Sequence, residues 1–127
     1  MWAMVTSSNR PSLKLVGSPT RNIKVLQLKV ELQGVRPKVW RRVLVPSSIR
    51  LPKLHVVLLR AMGWDGGHLH EFEFAEGKYG VPDPDWPDES LDDESKVTLN
   101  KALGYSATFN WTYDFGDNWT HRIKVER

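Results

Sequence analysis

The stretch that decides the fold is FNWTYDFGDNWTHRIKV, residues 109–125. Aromatic, imidazole or aliphatic side chains take every second position on both sides of a central Gly-Asp-Asn, and the positions between them are polar. Alternation with a period of two is typical of strands that have one buried face and one wet face. The stretch therefore predicts a β-hairpin with an aromatic inner face.

The pairing register of this hairpin follows from the parity of its two arms. Phe115 and Trp119 share a face only if the loop between them has an odd number of residues, so the sequence predicts a three-residue loop at 116–118. The last residue of that loop is an asparagine, which is expected in the left-handed conformation. This register pairs Tyr113 with His121.

Length and composition indicate one globular domain. A chain of 127 residues with 40% hydrophobic and 26% charged side chains can bury an ordinary core. No apolar run approaches the ~20 residues that cross a bilayer, so no membrane partner is expected. The sequence has no cysteine, which excludes disulfides, thiol catalysis and cysteine-ligated metals and fits a cytoplasmic location.

The net charge of +3 conceals a separation of charge along the chain. Residues 83–94 contain seven acidic side chains and no basic one, whereas the other 115 residues hold 18 basic and 8 acidic side chains. A basic body is typical of proteins that bind polyanions. The alternative is that the acidic loop covers a basic face of its own domain, and the sequence leaves both interpretations open.

The remaining patterns predict an α+β domain. Residues 1–23, rich in Ser, Pro, Asn and Gly, are expected to form a disordered lead-in with a short strand near 13–16, and residues 24–127 a single domain. The other predicted segments are strands at 25–32, 38–45 and 68–75, helices at 52–62 and 99–103, and a long acidic loop at 80–95. Strands paired into hairpins favour a mainly antiparallel sheet, with one main helix packed on its apolar face and a short second helix.

Two histidines on the third predicted strand are candidate metal ligands. His68 and His70 are two residues apart and share a strand face, and His121 would be a third ligand if its strand lies alongside. Three histidines with an open position describe a catalytic zinc site. The alternative is that they are polar members of an apolar face, which Phe72 and Phe74 at the same parity favour. Apart from this divalent metal, no cofactor is predicted.

Candidate site residues also surround the turn of the hairpin. They are Tyr113, Asp114, Asp117 and Trp119. Asp114 lies at the opposite parity from His121, which argues against a simple shared site. The Asp-Phe-Gly triplet here lacks the glycine-rich loop, lysine strand and catalytic loop of protein kinases. Aspartate and asparagine beside a tight turn usually bond the local backbone, so no catalytic residue is assigned.

Basic residues neighbour a tryptophan on the second predicted strand. Arginines beside exposed tryptophans can bind single-stranded nucleic acid through phosphate contacts and base stacking. The competing interpretation is that the tryptophans form the core while Lys and Arg cover the outer face. Arg122 and Lys124 point away from Trp119, so the hairpin does not present basic side chains and tryptophan on the same face. The candidate nucleic-acid residues are therefore Arg36, Lys38, Trp40, Arg41 and Arg42.

Several blocks of the sequence together resemble a known family. In chain order they are LH at 54–55, AMGW at 61–64, HLHEF at 68–72, YG at 79–80, DE at 93–94, VTL at 97–99 and YDFGDNWTH at 113–121. Over residues 24–126 the chain resembles the family named after the third open reading frame of a root-inducing plasmid. The resemblance implies an α+β domain of bacteria and archaea, often carried on plasmids and insertion elements, with no established activity. Some members are labelled transposon resolvases, but no recombinase serine or tyrosine setting is present here.

Two functional hypotheses follow from the sequence. The leading one is a non-enzymatic binding module of plasmid or mobile-element biology, with a protein or a nucleic acid as its partner. The rival is a metal-dependent hydrolase that uses His68, His70 and His121.

Overall fold

The structure, a computed structural model, describes residues 24–126 in full and residues 3–7 and 14–16 as strand backbone. The strands are β1 (Ala3–Ser7), β2 (Lys14–Val16), β3 (Val25–Leu32), β4 (Trp40–Pro46), β5 (His70–Phe74), β6 (Gly77–Gly80), β7 (Leu91–Asp93), β8 (Thr108–Tyr113) and β9 (Trp119–Val125). The helices are α1 (Leu51–Met62) and α2 (Leu99–Leu103), and a single 3-10 turn spans Glu94–Lys96. The fold is therefore α+β and mostly sheet.

The strands form one mixed sheet in the order β2-β1-β4-β3-β9-β8-β5-β6-β7. Neighbours pair antiparallel except β6 and β7, which are parallel. The sequence analysis missed β6 and β7. β6 has glycine at both ends and β7 has only three residues, so neither offers a hydrophobic alternation. The pairing of β6 with β5 and of β7 with β6 is a tertiary effect.

The amino-terminal lead-in is described only in part. β2 coincides with the short strand predicted near 13–16, and β1 pairs with β4 at a place where the sequence suggested disorder. The rest of the predicted lead-in lies outside the described residues. The domain division at residue 24 stays a prediction.

Helix α1 packs its apolar stripe against the sheet. Leu51, Leu54, Leu58 and Ala61 recur at helical spacing and are buried, which contributes about 1.5–3 kcal/mol for each leucine before entropy is counted. Gly63 ends the helix in the left-handed conformation, with φ of 78°. Within the described residues, neither helix is long and apolar enough to span a membrane.

The aromatic hairpin forms with the predicted inner face but a different register. Tyr113 pairs with Trp119 and Trp111 pairs with His121, so the predicted pairing of Tyr113 with His121 was wrong by two residues. A slip of two keeps every residue at its parity, and a slip of one would have reversed the faces. Trp111, Tyr113 and His121 are accordingly buried on one side of the sheet.

The loop of the hairpin has five residues, Asp114–Asn118, where three were predicted. Asp114 takes a left-handed conformation with φ of 65°, and this ends β8 early. Phe115 consequently leaves the inner face and is 44% exposed. Asn118 is left-handed as predicted, with φ of 54°, and its backbone N–H donates to the carbonyl of Asp114.

The left-handed conformation of Asn118 makes the loop sensitive to substitution. We expect Asn118→Val to lower the free energy of unfolding by about 1–2 kcal/mol, because a β-branched side chain is strained at positive φ. Asn118→Gly, the control, should change it by a few tenths of a kcal/mol at most. Urea denaturation measures both variants, and an equal loss in the two would contradict the assignment.

Candidate functional site

A pocket of about 290 Å³ opens where α1 ends and the hairpin turns. It is lined by Gly63, Trp64, Asp65, His68, Tyr113, Asp114 and Trp119. The last four are predicted site residues, and the structure brings them together. Trp64 and Asp65 come from the turn after α1, where the sequence analysis assigned no site residue. The volume lies at the lower limit for small-molecule sites.

Aromatic rings form one wall of the pocket. The ring of Trp64 stacks on Trp119 with 5.4 Å between centroids and lies 5.7 Å from Tyr113. Tyr113 and Trp119 face each other across the two arms of the hairpin. Trp64 and Trp119 are half-buried. Their π-systems therefore present partly exposed, electron-rich surface to the pocket.

Two carboxylates give the pocket a negative charge. Asp65 accepts hydrogen bonds from the Gly67 N–H at 3.0 Å and the Tyr113 hydroxyl at 2.9 Å, which lower the pKa of Asp65. Asp114 accepts from the Gly116 N–H at 3.0 Å and lies 3.7 Å from Nδ1 of His68. Within residues 24–126, no lysine or arginine lines the pocket.

Tyr113 ties the turn after α1 to the hairpin. Its hydroxyl donates to Asp65 and accepts from the Gly66 N–H at 2.9 Å. Burial raises the pKa of Tyr113, with Asp65 acting in the same direction, so the phenol stays protonated and keeps donating. Tyr113 therefore positions Asp65 at the mouth of the pocket.

His121 supports the aromatic wall from within the core. Its Nδ1 is 3.1 Å from the Trp111 carbonyl, and its Nε2 is 3.1 Å from the indole nitrogen of Trp64. An indole N–H can only donate and a carbonyl can only accept, so the ring is neutral with its proton on Nδ1. Burial lowers the pKa of His121 to about 4, which keeps this tautomer at neutral pH.

His55 and His70 form a stacked pair outside the pocket lining. Nε2 of His70 is 2.7 Å from Oε1 of Glu94, and the His70 ring stacks on His55 with 3.4 Å between centroids. Nδ1 of His55 accepts from the indole N–H of Trp111 at 3.2 Å. Burial, followed by the charge of His70, lowers the pKa of His55 to about 3. Sequence reasoning assigned no role to His55 or Glu94, although both lie in the family-like blocks LH and DE.

The structure does not bring the three candidate metal ligands together. His121 has both ring nitrogens occupied by tryptophan groups, and His70 binds Glu94. His68 precedes β5, so it does not share a strand face with His70, and its side chain is 51% exposed. Among residues 24–126, no group of three His, Asp or Glu side chains is placed to hold a metal ion.

The other candidate residues lie away from the pocket lining. Asp117 is exposed in the hairpin loop. Arg36 and Lys38 are exposed in the connection between β3 and β4. Trp40 and Arg42 share one face of β4, and Arg41 has the opposite parity. The predicted nucleic-acid residues therefore divide between two faces of the sheet.

Comparison with known proteins places the chain among relatives without an assigned role. Residues 24–127 match a family model described as plasmid pRiA4b ORF-3-like protein. The chain is 46% identical over 104 residues to the uncharacterized protein y4hQ of Sinorhizobium fredii (strain NBRC 101917 / NGR234), covering 81% of this chain and 54% of the relative.

A similar solved structure also belongs to a protein without an assigned function. The crystal structure of a protein of unknown function, MM3350 from Methanosarcina mazei Go1, matches with a TM-score of 0.71 and 32% identity. The match covers 81% of this chain and 59% of that one. The chain thus spans little more than half the length of either relative.

Proposed function

The chain belongs to the plasmid pRiA4b ORF-3-like protein family, and from that premise we propose that it is a non-enzymatic binding module whose pocket takes a positively charged group of a protein partner. The names of its relatives supply no activity. The observation that carries the proposal is the convergence of Asp65 and Asp114 with three aromatic rings on one pocket that no lysine or arginine lines.

The chemistry of the lining favours a cation. Carboxylates form charge-assisted hydrogen bonds with ammonium and guanidinium groups. Tryptophan and tyrosine rings attract the same groups through their quadrupoles, by about 0.5–2 kcal/mol. The small volume suits the head group of one arginine or alkylated lysine side chain.

The contacts of the lining residues favour binding over catalysis. Within residues 24–126, no serine, threonine, cysteine or lysine lines the pocket. The carboxylates and the imidazole that could act instead are engaged, because Asp65 and Asp114 accept hydrogen bonds from their own loops and His68 lies beside Asp114. The phenol of Tyr113 is buried and hydrogen-bonded to Asp65 and Gly66, so it has a structural role. A binding function therefore accounts for the pocket better than a reaction does.

Titration with small probes tests the proposal. We expect acetyl-arginine amide and choline to shift the NMR signals of the Trp64 and Trp119 indoles, and acetate to leave them unchanged. Asp114→Asn should weaken cation binding about tenfold or more, because a charge-assisted hydrogen bond contributes about 1.5–3 kcal/mol. Asparagine tolerates the left-handed conformation of residue 114, so the variant keeps the loop.

Asp117→Asn is the matched control, since it removes the same charge from an exposed position in the same loop. If Asp114→Asn and Asp117→Asn weaken cation binding equally, the weakening comes from the lost net charge and not from a contact in the pocket. Binding of acetate as tight as that of the cations would refute the proposal.

The rival hypothesis, a metal-dependent hydrolase using His68, His70 and His121, has less support from the contacts of these side chains. Elemental analysis of the purified protein tests it, together with the melting temperature in the presence of zinc. A stoichiometric metal that is lost in His68→Ala would favour the hydrolase over the binding module.

A further inference from the structure

A basic surface lies on the outer face of the sheet, away from α1. Lys29 of β3 is directly opposite Arg42 of β4 on one side and Lys124 of β9 on the other. The next row of the same face holds Trp40 and Arg122, with Glu31 between them. We propose that this outer basic surface, formed by Lys29, Trp40, Arg42, Arg122 and Lys124, binds single-stranded nucleic acid.

The alternation of the strands turns this surface to solvent. On β3, every second residue from Leu26 to Leu32 is buried, and Lys29 lies at the intervening parity. On β9, Arg122 and Lys124 are exposed, and His121 and Ile123 between them are buried. Adjacent strands are ~4.8 Å apart, so the row of three cations spans roughly 10 Å.

Trp40 combines an aromatic ring with two cations. Nζ of Lys29 lies 5.1 Å and Cζ of Arg42 lies 4.8 Å from the centroid of the Trp40 ring. Both cations belong to the neighbouring row. Proteins that bind single strands combine aromatic rings with cations, because unpaired bases stack on the rings while the cations contact phosphates. Here a base would replace a cation over the Trp40 ring, and the displaced cation would move to a phosphate. Bases inside a duplex are not available for such stacking.

The surface keeps a positive balance although it contains two carboxylates. Glu126 accepts from Arg42 at 2.8 Å and from Gln27 at 3.0 Å, and Glu31 lies in the second row, between Trp40 and Arg122. Against these two stand six basic side chains on the surface and in the adjoining connection: Lys29, Arg36, Lys38, Arg42, Arg122 and Lys124.

The acidic loop does not cover this surface. Residues 81–90 are exposed, and they lead into β7, which is five positions from β3 in the sheet. Five strand spacings amount to roughly 24 Å. The structure thus excludes the alternative that the loop screens the basic face. On β5, Glu71 and Glu73 lie at the intervening parity, and Oε2 of Glu73 is 3.8 Å from Nζ of Lys78, so that half of the sheet, within residues 24–126, has no comparable row of cations.

Fluorescence anisotropy with labelled oligo(dT) and oligo(U) of about 12 nucleotides tests the proposal. We expect binding at about 50 mM salt. As salt is added, the logarithm of the association constant should fall linearly with the logarithm of the salt concentration. The double variant Lys29→Gln/Lys124→Gln should bind about tenfold or more weakly, and its salt slope should be smaller by about 0.7 for each lost phosphate contact. The control is Lys53→Gln/Lys101→Gln, at exposed positions on the two helices.

A second pair of variants tests the role of the ring. Trp40→Leu should weaken binding roughly tenfold or more by removing base stacking, whereas Trp86→Leu, at an 80% exposed tryptophan in the acidic loop, should have no effect. Asp114→Asn should also leave nucleic-acid binding unchanged, because its pocket is a separate site.

Several outcomes would overturn the proposal. They are the absence of binding up to about 100 μM protein, equal weakening by the helix control, and duplex DNA bound as tightly as the single strands with no effect of Trp40→Leu. A fourth is salt-sensitive self-association that Lys29→Gln/Lys124→Gln abolishes, which would assign the surface to the acidic loop of a second copy.

Discussion

We expect Trp111→Ala to lower the free energy of unfolding by about 3–5 kcal/mol, the range for removing a buried aromatic side chain. Trp111 is completely buried and lies between Phe72 of β5 and His121 of β9. Alanine would leave a cavity in the middle of the sheet's inner face. It would also remove the indole N–H that donates to His55 at 3.2 Å.

Urea denaturation followed by circular dichroism measures this change. Trp86→Ala is the control, because that tryptophan is 80% exposed and should change the free energy of unfolding by less than about 0.5 kcal/mol. Trp111→Phe separates the two causes, since phenylalanine keeps most of the packing and loses only the hydrogen bond. If Trp111→Ala proves as mild as Trp86→Ala, the hairpin is not the centre of the core.

Acid should weaken the fold in the range where histidine titrates, above the range of carboxylates. The ordinary histidine pKa of 6.5 falls to about 4 for His121 and to about 3 for His55 in the folded chain. Between these values the unfolded chain binds more protons than the folded one. The free energy of unfolding is therefore fully retained above pH 6.5 and falls as the pH drops toward 4. His121 alone contributes a loss on the order of 3 kcal/mol.

Urea denaturation at several pH values between about 7 and 4.5 measures this slope, which should reach about 1 kcal/mol per pH unit from His121. NMR of the ring nitrogens should find His121 neutral in the folded chain at about pH 5. Constant stability from about pH 7 to 5 would contradict the buried neutral tautomer.

Glu126 should make the stability depend on pH in a separate and lower pH range. The hydrogen bonds from Arg42 and then Gln27 lower the pKa of Glu126 from 4.5 to about 2. The stability that Glu126 contributes is present above pH 4.5 and is lost as the pH falls toward 2. The two ranges therefore distinguish the buried histidines from the surface ion pair.

The hairpin illustrates what could be predicted locally. Its alternation identifies the inner face, and the need for a left-handed residue at the end of the loop identifies Asn118. Parity admits loops of three or five residues equally. The choice involves a strand outside the hairpin, since the N–H of Asp114 donates to the carbonyl of Leu69 at 2.8 Å and so continues the pairing with β5. The left-handed φ of 65° at the same residue ends the pairing with β9. Loop length was therefore a tertiary property.

The pocket illustrates the same division. Tyr113, Asp114 and Trp119 could be predicted because polar and aromatic residues cluster around one turn, whereas His68 was predicted as a metal ligand from its spacing to His70. Asp65 could not be predicted, because its hydroxyl partner on Tyr113 is 48 positions away in the chain. The metal hypothesis failed to gain support for a similar reason. Each of the three histidines contacts a residue that spacing along the chain does not reveal: His121 contacts Trp64, His70 contacts Glu94 and His68 lies beside Asp114.

By itself, the sequence determined the α+β class, the buried faces of β3 and of the hairpin strands, and the main helix, because periodicity and local backbone preference act over a few residues. The family resemblance rested on short blocks of sequence. Only the tertiary structure decided the hairpin register, the parallel pairing of β6 with β7 and the partner of each histidine. It also placed the pocket and the outer basic surface. These depend on which distant side chains satisfy a buried hydrogen bond or share a row of the sheet, and that is settled only when the whole chain packs.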